Sequence, residues 1–182
     1  MGTESVKPQF MLKENLDIQK YAYAYDQFQK EHNPMDLSLE QDFIAISKPI
    51  EFLDLKVLRD IAHWKSPRSA GHIEENSEGY VREITGFALQ AKEERTRIES
   101  LTVLSGVGWP MASVILHFFH QDPYPILDVR ALGSLGVTSP KQYSFDFWWS
   151  YVETCRDLSK KFGVGMRTLD KALWEFDRER NA

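Results

Sequence analysis

Residues 98–132 read IESLTVLSGVGWPMASVILHFFHQDPYPILDVRAL, and this stretch contains the pattern that decides the fold. Its first part places an apolar residue at every third position, at Ile98, Leu101 and Leu104, so these side chains can share one face of a helix. Gly106 and Gly108 follow at once, and glycine permits positive φ and a close approach of the backbone. A second helical pattern begins next, with apolar residues at positions 107, 111, 114, 115 and 118. The stretch therefore predicts a helix, a glycine hairpin and a second helix over residues 98–120.

The start of the second helix is the place where the predicted hairpin can bind an anion. The first N–H groups of a helix have no partner within it, and the helix dipole puts partial positive charge there. Neighbouring glycines let a phosphate come within hydrogen-bonding distance, and such a contact holds a nucleic-acid backbone without reading its sequence. We therefore expect Ser105, Gly106, Val107 and Gly108 to bind DNA. An ordinary tight turn between two helices also favours glycine, and remains the alternative.

The residues after the hairpin extend the pattern. Leu-Ser-Gly-Val-Gly at residues 104–108 is followed by a helix and then by Tyr124-Pro-Ile-Leu-Asp128. This arrangement resembles the helix-hairpin-helix DNA glycosylase superfamily, in particular the endonuclease III and adenine glycosylase relatives. Pro110 stands at the position that is lysine in the bifunctional members, and Asp128 follows it by 18 residues. The resemblance is sharp over residues 101–136 and weak elsewhere.

The resemblance implies an all-α fold with two lobes. One lobe, about residues 37–122, contains the hairpin, and the other joins residues 9–34 with residues 124–182. In the superfamily, the cleft between the lobes holds a base flipped out of double-stranded DNA. The expected activity is that of a DNA N-glycosylase, a hydrolase that cuts the N-glycosidic bond of a damaged or modified base. Such an activity serves DNA repair or defence against modified foreign DNA.

Asp128 is the candidate catalytic residue. As the base leaves, its sugar becomes oxocarbenium-like, and a nearby carboxylate stabilises that charge or orients a water. The alternative is that Asp128 only caps the helix that follows it, and one carboxylate can do both. Pro110 cannot form the Schiff base that a lyase needs, because that reaction requires an amine. We therefore expect either a monofunctional glycosylase that leaves an abasic site or a protein that has lost catalysis.

The segment from Trp64 to Arg68 supplies further candidates for contact with DNA. Superfamily members place wedge and base-contacting residues on a loop in about this location. Trp64 could stack on a base as part of the base pocket, and Lys65 and Arg68 could hold phosphates. Alternatively, Trp64 packs in the core and the two cations are solvated.

Several other side chains have two interpretations. Trp109 is a candidate for the base pocket, and its side chain faces either solvent or DNA. Arg130 is a second candidate, but the simpler expectation is that it pairs with a nearby carboxylate. His117, His120 and Asp122 suggest a metal site only weakly, because their spacing is loose and histidines near a helix C-terminus suit the helix dipole. No metal and no cofactor are expected.

Composition and charge narrow the class of protein. The chain has 182 residues, of which 42% are hydrophobic, enough for one compact domain or two small lobes. Its net charge of −5 argues against a broad basic surface for DNA binding. A small local DNA-binding site is still compatible with that charge. The single cysteine, Cys155, excludes an intramolecular disulfide and a cysteine-ligated iron–sulfur cluster. Without a signal peptide or a membrane span, a cytoplasmic protein is expected, as a monomer and without membrane contact.

The rest of the chain has helical periodicity and no convincing strand alternation. A first helix ends at Asn33-Pro34, Ser38 with Gln41 resembles a capping box for a second, and Asp54 can cap a third. Residues 69–76 are expected to form a polar loop and residues 93–104 the first arm of the hairpin. Other helices are predicted near residues 80–91, 130–135, 148–162 and 166–176.

Two other classes of function stay open on the sequence alone. One is a DNA-binding module without enzymatic activity on the same scaffold. The other is a protein-interaction domain with a vestigial hairpin, which the acidic pI of about 5.6 favours.

Overall fold

The computed structural model describes residues 9–12, 16–46 and 48–181, and this part of the chain contains helices and turns but no strand. The all-α class predicted from the sequence is therefore confirmed. None of these helices combines the length and the apolar character that a membrane crossing requires. The described helices are α1 (Ile18–His32), α2 (Pro34–Ala45), α3 (Leu55–Lys65), a 3-10 turn (Pro67–Ser69), α4 (Ala70–Ile73), α5 (Glu78–Gln90), α6 (Glu94–Leu101), α7 (Trp109–Phe119), α8 (Val129–Ser134), α9 (Phe145–Phe162) and α10 (Met166–Arg180).

The chain divides into two compact units. One joins Met1–Asp26 with Asp128–Ala182, and the other is Gln27–Leu127. The lobe boundaries that the resemblance implies, near residues 34–37 and 122–124, both lie inside the second unit. The hairpin belongs to the unit Gln27–Leu127, and Asp128 is the first residue of the returning segment of the other unit.

The core of the unit Gln27–Leu127 is built around α7. Eight of its eleven residues are buried, because apolar side chains cover nearly its whole circumference. Helices α3 and α6 pack against it, and α5 packs against α6. The predicted cap of α3 is confirmed: the Asp54 carboxylate accepts a hydrogen bond of 2.8 Å from the Val57 N–H.

The other unit is organised around α10, which packs against α8 and α9. Helices α8 and α10 approach closely at Gly133, where a Cβ atom would lie 2.3 Å from Oδ1 of Asp177. Only glycine fits that approach unless Asp177 moves. The same helices are joined by a hydrogen bond of 2.5 Å from the Ser134 hydroxyl to the Leu173 carbonyl.

Two local predictions are wrong. Ser38 does not cap α2, because the helix already begins at Pro34, whose fixed φ suits the first turn of a helix. Residues 69–76 are not simply a polar loop, since the chain there forms the 3-10 turn and the short α4.

The first arm of the hairpin is shorter than predicted. Helix α6 ends at Leu101, and residues 102–104 form tight turns in which the Val103 and Leu104 N–H groups bond to carbonyls three residues earlier. Leu104 is still buried, so its apolar character serves the core without the helix continuing through it.

Candidate nucleic-acid interface

The turn between α6 and α7, residues Ser105–Gly108, contains both glycines of the predicted hairpin. Gly106 has a φ of 81°, a left-handed conformation in which other residues are strained. Gly108 is different: its φ of −91° and ψ of 178° are extended, and it is the N-cap of α7. The two glycines therefore have separate roles, one required by the path of the turn and the other placed where α7 begins.

Asn76 holds this turn in place from outside the hairpin. Its side-chain oxygen accepts a hydrogen bond of 2.9 Å from the Ser105 N–H, and its side-chain nitrogen donates to the Ser105 carbonyl at 3.0 Å. Asn76 is 5% exposed, so this clamp is shielded from competing water. Local spacing in the sequence does not predict this clamp, because Asn76 lies 29 residues before Ser105.

The clamp decides which of the predicted amides remain available. The Ser105 N–H is bonded to Asn76, and the Val107 N–H donates to the Leu104 carbonyl at 3.0 Å. Among the described residues, the N–H groups of Gly106 and Gly108 have no acceptor. Gly108 is also exposed, with no atom beyond its immediate neighbours closer to an added Cβ than Cδ of Pro110 at 3.8 Å. Two backbone donors are thus available at the start of an eleven-residue helix.

A carboxylate lies beside the same turn. The Glu75 carboxylate lies 2.9 Å from Nδ1 of His72 and is within hydrogen-bonding reach of the Ser105 side chain. Hydrogen bonding to His72, and more weakly to Ser105, holds the pKa of Glu75 below its usual value. Glu75 is therefore negatively charged at neutral pH, and its charge opposes a phosphate at the turn.

Trp64, a predicted base-pocket residue, belongs to an aromatic cluster. Its ring meets Phe118 edge to face, with centroids 5.5 Å apart, and lies 6.4 Å from the ring of Phe43. The side chain is half-buried. The interpretation that Trp64 packs against the core therefore has direct contacts in its favour.

The cations that follow Trp64 are accessible. Lys65 is half-buried at the end of α3, and Arg68 is exposed within the 3-10 turn. Trp109 is the first residue of α7, directly after Gly108, and is half-buried. Lys65, Arg68 and Trp109 thus lie in the same unit as the hairpin turn.

Asp128 caps α8, as one of its two interpretations predicts. Its Oδ1 accepts a hydrogen bond of 2.9 Å from the Arg130 N–H. The side chain is half-buried, and its charge raises the pKa of the buried Tyr151 phenol, after the larger effects of burial, Cys155 and Asp170. The cap interpretation of Asp128 is confirmed, and its catalytic role stays a prediction.

Arg130, a predicted base-pocket residue, is paired within its own unit. Its guanidinium lies 3.5 Å from the Asp177 carboxylate and 5.2 Å from the centroid of the Trp174 ring. The expected pairing with a carboxylate is confirmed, and both of these contacts are to residues of α10.

The two histidines near the end of α7 contact the chain segment that follows this helix. Nδ1 of His117 is 2.6 Å from the Tyr124 carbonyl, and Nδ1 of His120 accepts from the Asp122 N–H at 3.0 Å. No group of three or more metal-ligating side chains occurs among the residues that the structure describes. Both histidines instead hold the segment that follows α7.

Comparison with known protein families, curated proteins and solved structures finds no match for this chain. The likeness to the helix-hairpin-helix glycosylases therefore rests on the residues of the chain itself, at 104–108, 110 and 124–128.

Proposed function

We propose that the chain binds double-stranded DNA through the turn Ser105–Gly108 and acts there as a monofunctional DNA N-glycosylase. The observation that carries the proposal is the pair of N–H groups on Gly106 and Gly108, which have no acceptor among the described residues. A phosphate oxygen is the acceptor that suits such donors at a helix start, since the helix dipole favours negative charge. The exposed Gly108 leaves room for that approach.

The binding surface is small, which agrees with the charge of the protein. A net charge of −5 and a carboxylate at Glu75 oppose wide contact with a polyanion. A site that holds one phosphate with backbone amides and a few more with cations such as Lys65 and Arg68 avoids that conflict. A glycosylase reads the base after it leaves the stack, in a pocket rather than along the DNA backbone.

The catalytic half of the proposal rests on the resemblance and on the chemistry of Asp128. A half-buried carboxylate at the start of α8 can stabilise a cationic sugar or orient the attacking water. Pro110, in the first turn of α7, offers no amine to the sugar. The product is then an intact strand with an abasic site, because cleavage of the strand requires a Schiff base or later alkali.

The test is a panel of duplexes, each with one alkylated purine, one mispaired base or one bulky modified pyrimidine. After incubation with the protein, one class of duplex should break only when alkali is added, and borohydride should trap no protein–DNA adduct. A trapped adduct would overturn the monofunctional assignment.

The remaining outcomes select the alternatives. Duplex binding with no alkali-labile product from any lesion would reduce the function to a DNA-binding module. Failure to bind any duplex at low salt would favour a protein-interaction domain.

A further inference from the structure

A cavity of about 390 Å³ lies in the unit Gln27–Leu127, at the C-terminal ends of α5 and α7. We call it the His120 cavity. The hairpin turn is at the other end of α7, about 16 Å away along an eleven-residue helix. The cavity is therefore separate from the proposed DNA contact, and its volume lies at the lower end of the range for small-molecule sites.

One wall of the His120 cavity is apolar, and the other carries polar groups. Ile50, Leu89 and Phe119 line the apolar side. The charged residues that line the cavity are Lys92, Arg97 and Asp122. Arg97 is paired with Glu94, so the exposed Lys92 is the cation that can offset the charge of a ligand. This combination suits a ligand with an apolar body and one negative charge.

His120 has one ring nitrogen, Nε2, without a partner among the described residues. It is only 5% exposed, yet it lines the cavity. Its Nδ1 accepts a hydrogen bond from the Asp122 N–H, so the neutral ring carries its proton on Nε2. Burial, followed by the charge of Arg97, lowers the pKa of His120, which keeps the ring neutral at pH 7. No acceptor for the Nε2–H occurs among the residues that the structure describes.

Arg97 adds a second incompletely satisfied group to the same wall. Its guanidinium, 7% exposed, donates to the Tyr124 hydroxyl at 2.6 Å and to the Ala91 carbonyl, and pairs with Glu94 at 2.8 Å. Its Nε is buried and has no hydrogen-bond partner in the described part of the chain. A buried donor without an acceptor, such as Nε of Arg97, is rare because it costs stability. The Nε2–H of His120 is the donor in the same wall that a ligand can meet.

We propose that the His120 cavity binds a small organic carboxylate. One carboxylate oxygen accepts from the Nε2–H of His120, the rim ammonium of Lys92 offsets the charge, and the apolar body lies against Ile50, Leu89 and Phe119. This binding does not depend on the DNA-glycosylase proposal, because none of these residues belongs to the hairpin turn.

Phenylacetate is the probe for the test, with phenylacetamide as its neutral counterpart of the same shape. Titration of the uniformly 15N-labelled protein should shift the amide signals of Gln90, Ala91 and residues 119–122. For a ligand of this size we expect a Kd of about 1 mM or tighter, and phenylacetamide should bind at least about fivefold more weakly.

Two substitutions separate the nitrogens of His120. His120→Asn keeps an oxygen near the Nδ1 position for the Asp122 N–H and removes the Nε2 donor, so it should weaken phenylacetate binding about tenfold or more. His120→Gln places an amide nitrogen near the Nε2 position and should stay within about threefold of the wild type. Equal affinities in the two variants would overturn the role of His120.

A substitution on the protein surface tests the same proposal without the risk that a change at the buried His120 unfolds the protein. Lys92 is exposed, so Lys92→Glu should leave the fold intact while reversing the charge at the rim, and should weaken binding at least about fivefold. Phe87→Ala, a 57% exposed residue in the neighbouring groove, should have no effect. Absence of any phenylacetate-induced shift around the His120 cavity, or unchanged affinity in Lys92→Glu, would overturn the proposal.

Discussion

The hairpin turn and the start of α8 hold the two halves of the proposed function, and they use their polar groups in opposite ways. At the turn, Gly106 and Gly108 keep N–H groups without acceptors in the described chain. At the start of α8, Asp128 accepts from the Arg130 N–H, and the Arg130 guanidinium pairs with Asp177. One region presents donors outward, and the other uses its charged groups to stabilise its own helices.

This difference separates binding from catalysis in experiments. A substitution in the turn changes which groups can approach the backbone N–H donors. Where the substituted residue has a negative φ, the substitution should cost little folding stability. A change at Asp128 alters a helix cap as well as a carboxylate, so its structural and chemical effects must be separated. The predictions below run from the largest expected effect to the smallest.

Asp128→Asn should reduce turnover on the lesion duplex about 100-fold or more, the scale of losing one electrostatic contact to a transition state. Asparagine is also a good N-cap, so the melting temperature should stay close to that of the wild type. Binding should hold or tighten, because a negative charge is removed. Asp128→Ala, by contrast, should lose the cap and about 1 kcal/mol of stability. Full activity in Asp128→Asn would leave this residue as a helix cap only.

Gly108→Ala should weaken duplex binding about five- to tenfold, because a methyl group at this exposed position blocks the approach of a phosphate. The added Cβ meets only Cδ of Pro110 at 3.8 Å, so the fold should stay intact by circular dichroism. Gly165, the N-cap of α10, has nothing within 4 Å of an added Cβ and gives the matched control, Gly165→Ala. The same affinity in both variants would remove Gly108 from the interface.

Gly106→Ala should act through stability instead. A left-handed φ of 81° costs a residue with a side chain about 1–2 kcal/mol, which thermal unfolding would detect. Together with Gly108→Ala, it distinguishes a glycine required by the backbone path from one required by the ligand. If Gly106→Ala unfolds at the wild-type temperature, the turn does not depend on that conformation.

Glu75→Gln should tighten duplex binding about two- to fivefold at low salt, since it removes a negative charge beside the turn. Fluorescence anisotropy measures the change, and the gain should shrink as salt is added. Glu153→Gln makes the same change in net charge at an exposed position on α9, in the other unit. A gain of equal size in Glu153→Gln would mean that only the overall charge matters.

Arg68→Ala should weaken binding to a lesion duplex about threefold, the loss of one exposed phosphate contact, whereas Lys92→Ala should have a smaller effect. Equal losses in the two variants would assign the segment Trp64–Arg68 to the ordinary solvated surface.

Local signals in the sequence predicted the parts of this structure that depend on neighbouring residues. Asp54 and Asp128 were both predicted as helix caps, because a cap bonds to an N–H only two or three residues away. Apolar spacing also predicts helices before and after the turn, which are present as α6 and α7, although α6 ends at Leu101 rather than Leu104. Ser38 was a wrong prediction of the same kind, because Pro34 had already started the helix.

Long-range contacts decided the remaining features of the candidate interface. Asn76 clamps Ser105 across 29 residues, and Asp177 pairs with Arg130 across 47. Neither pairing can be predicted from the spacing of neighbouring residues. The sequence therefore could not predict which N–H groups of the turn Ser105–Gly108 are bonded within the protein. The sequence also could not distinguish Gly106 from Gly108, since both glycines are compatible with either backbone conformation.

The most direct test of the account is the salt dependence of duplex binding by the wild-type protein. Fluorescence anisotropy with a lesion-bearing duplex should give binding at low salt, and a plot of log K against log [salt] with a slope of about −1 to −4. That shallow slope is the result expected of a site that holds few phosphates and relies on backbone amides. No binding at about 50 mM salt, or a slope of about −6 or steeper, would contradict a small interface centred on the hairpin turn.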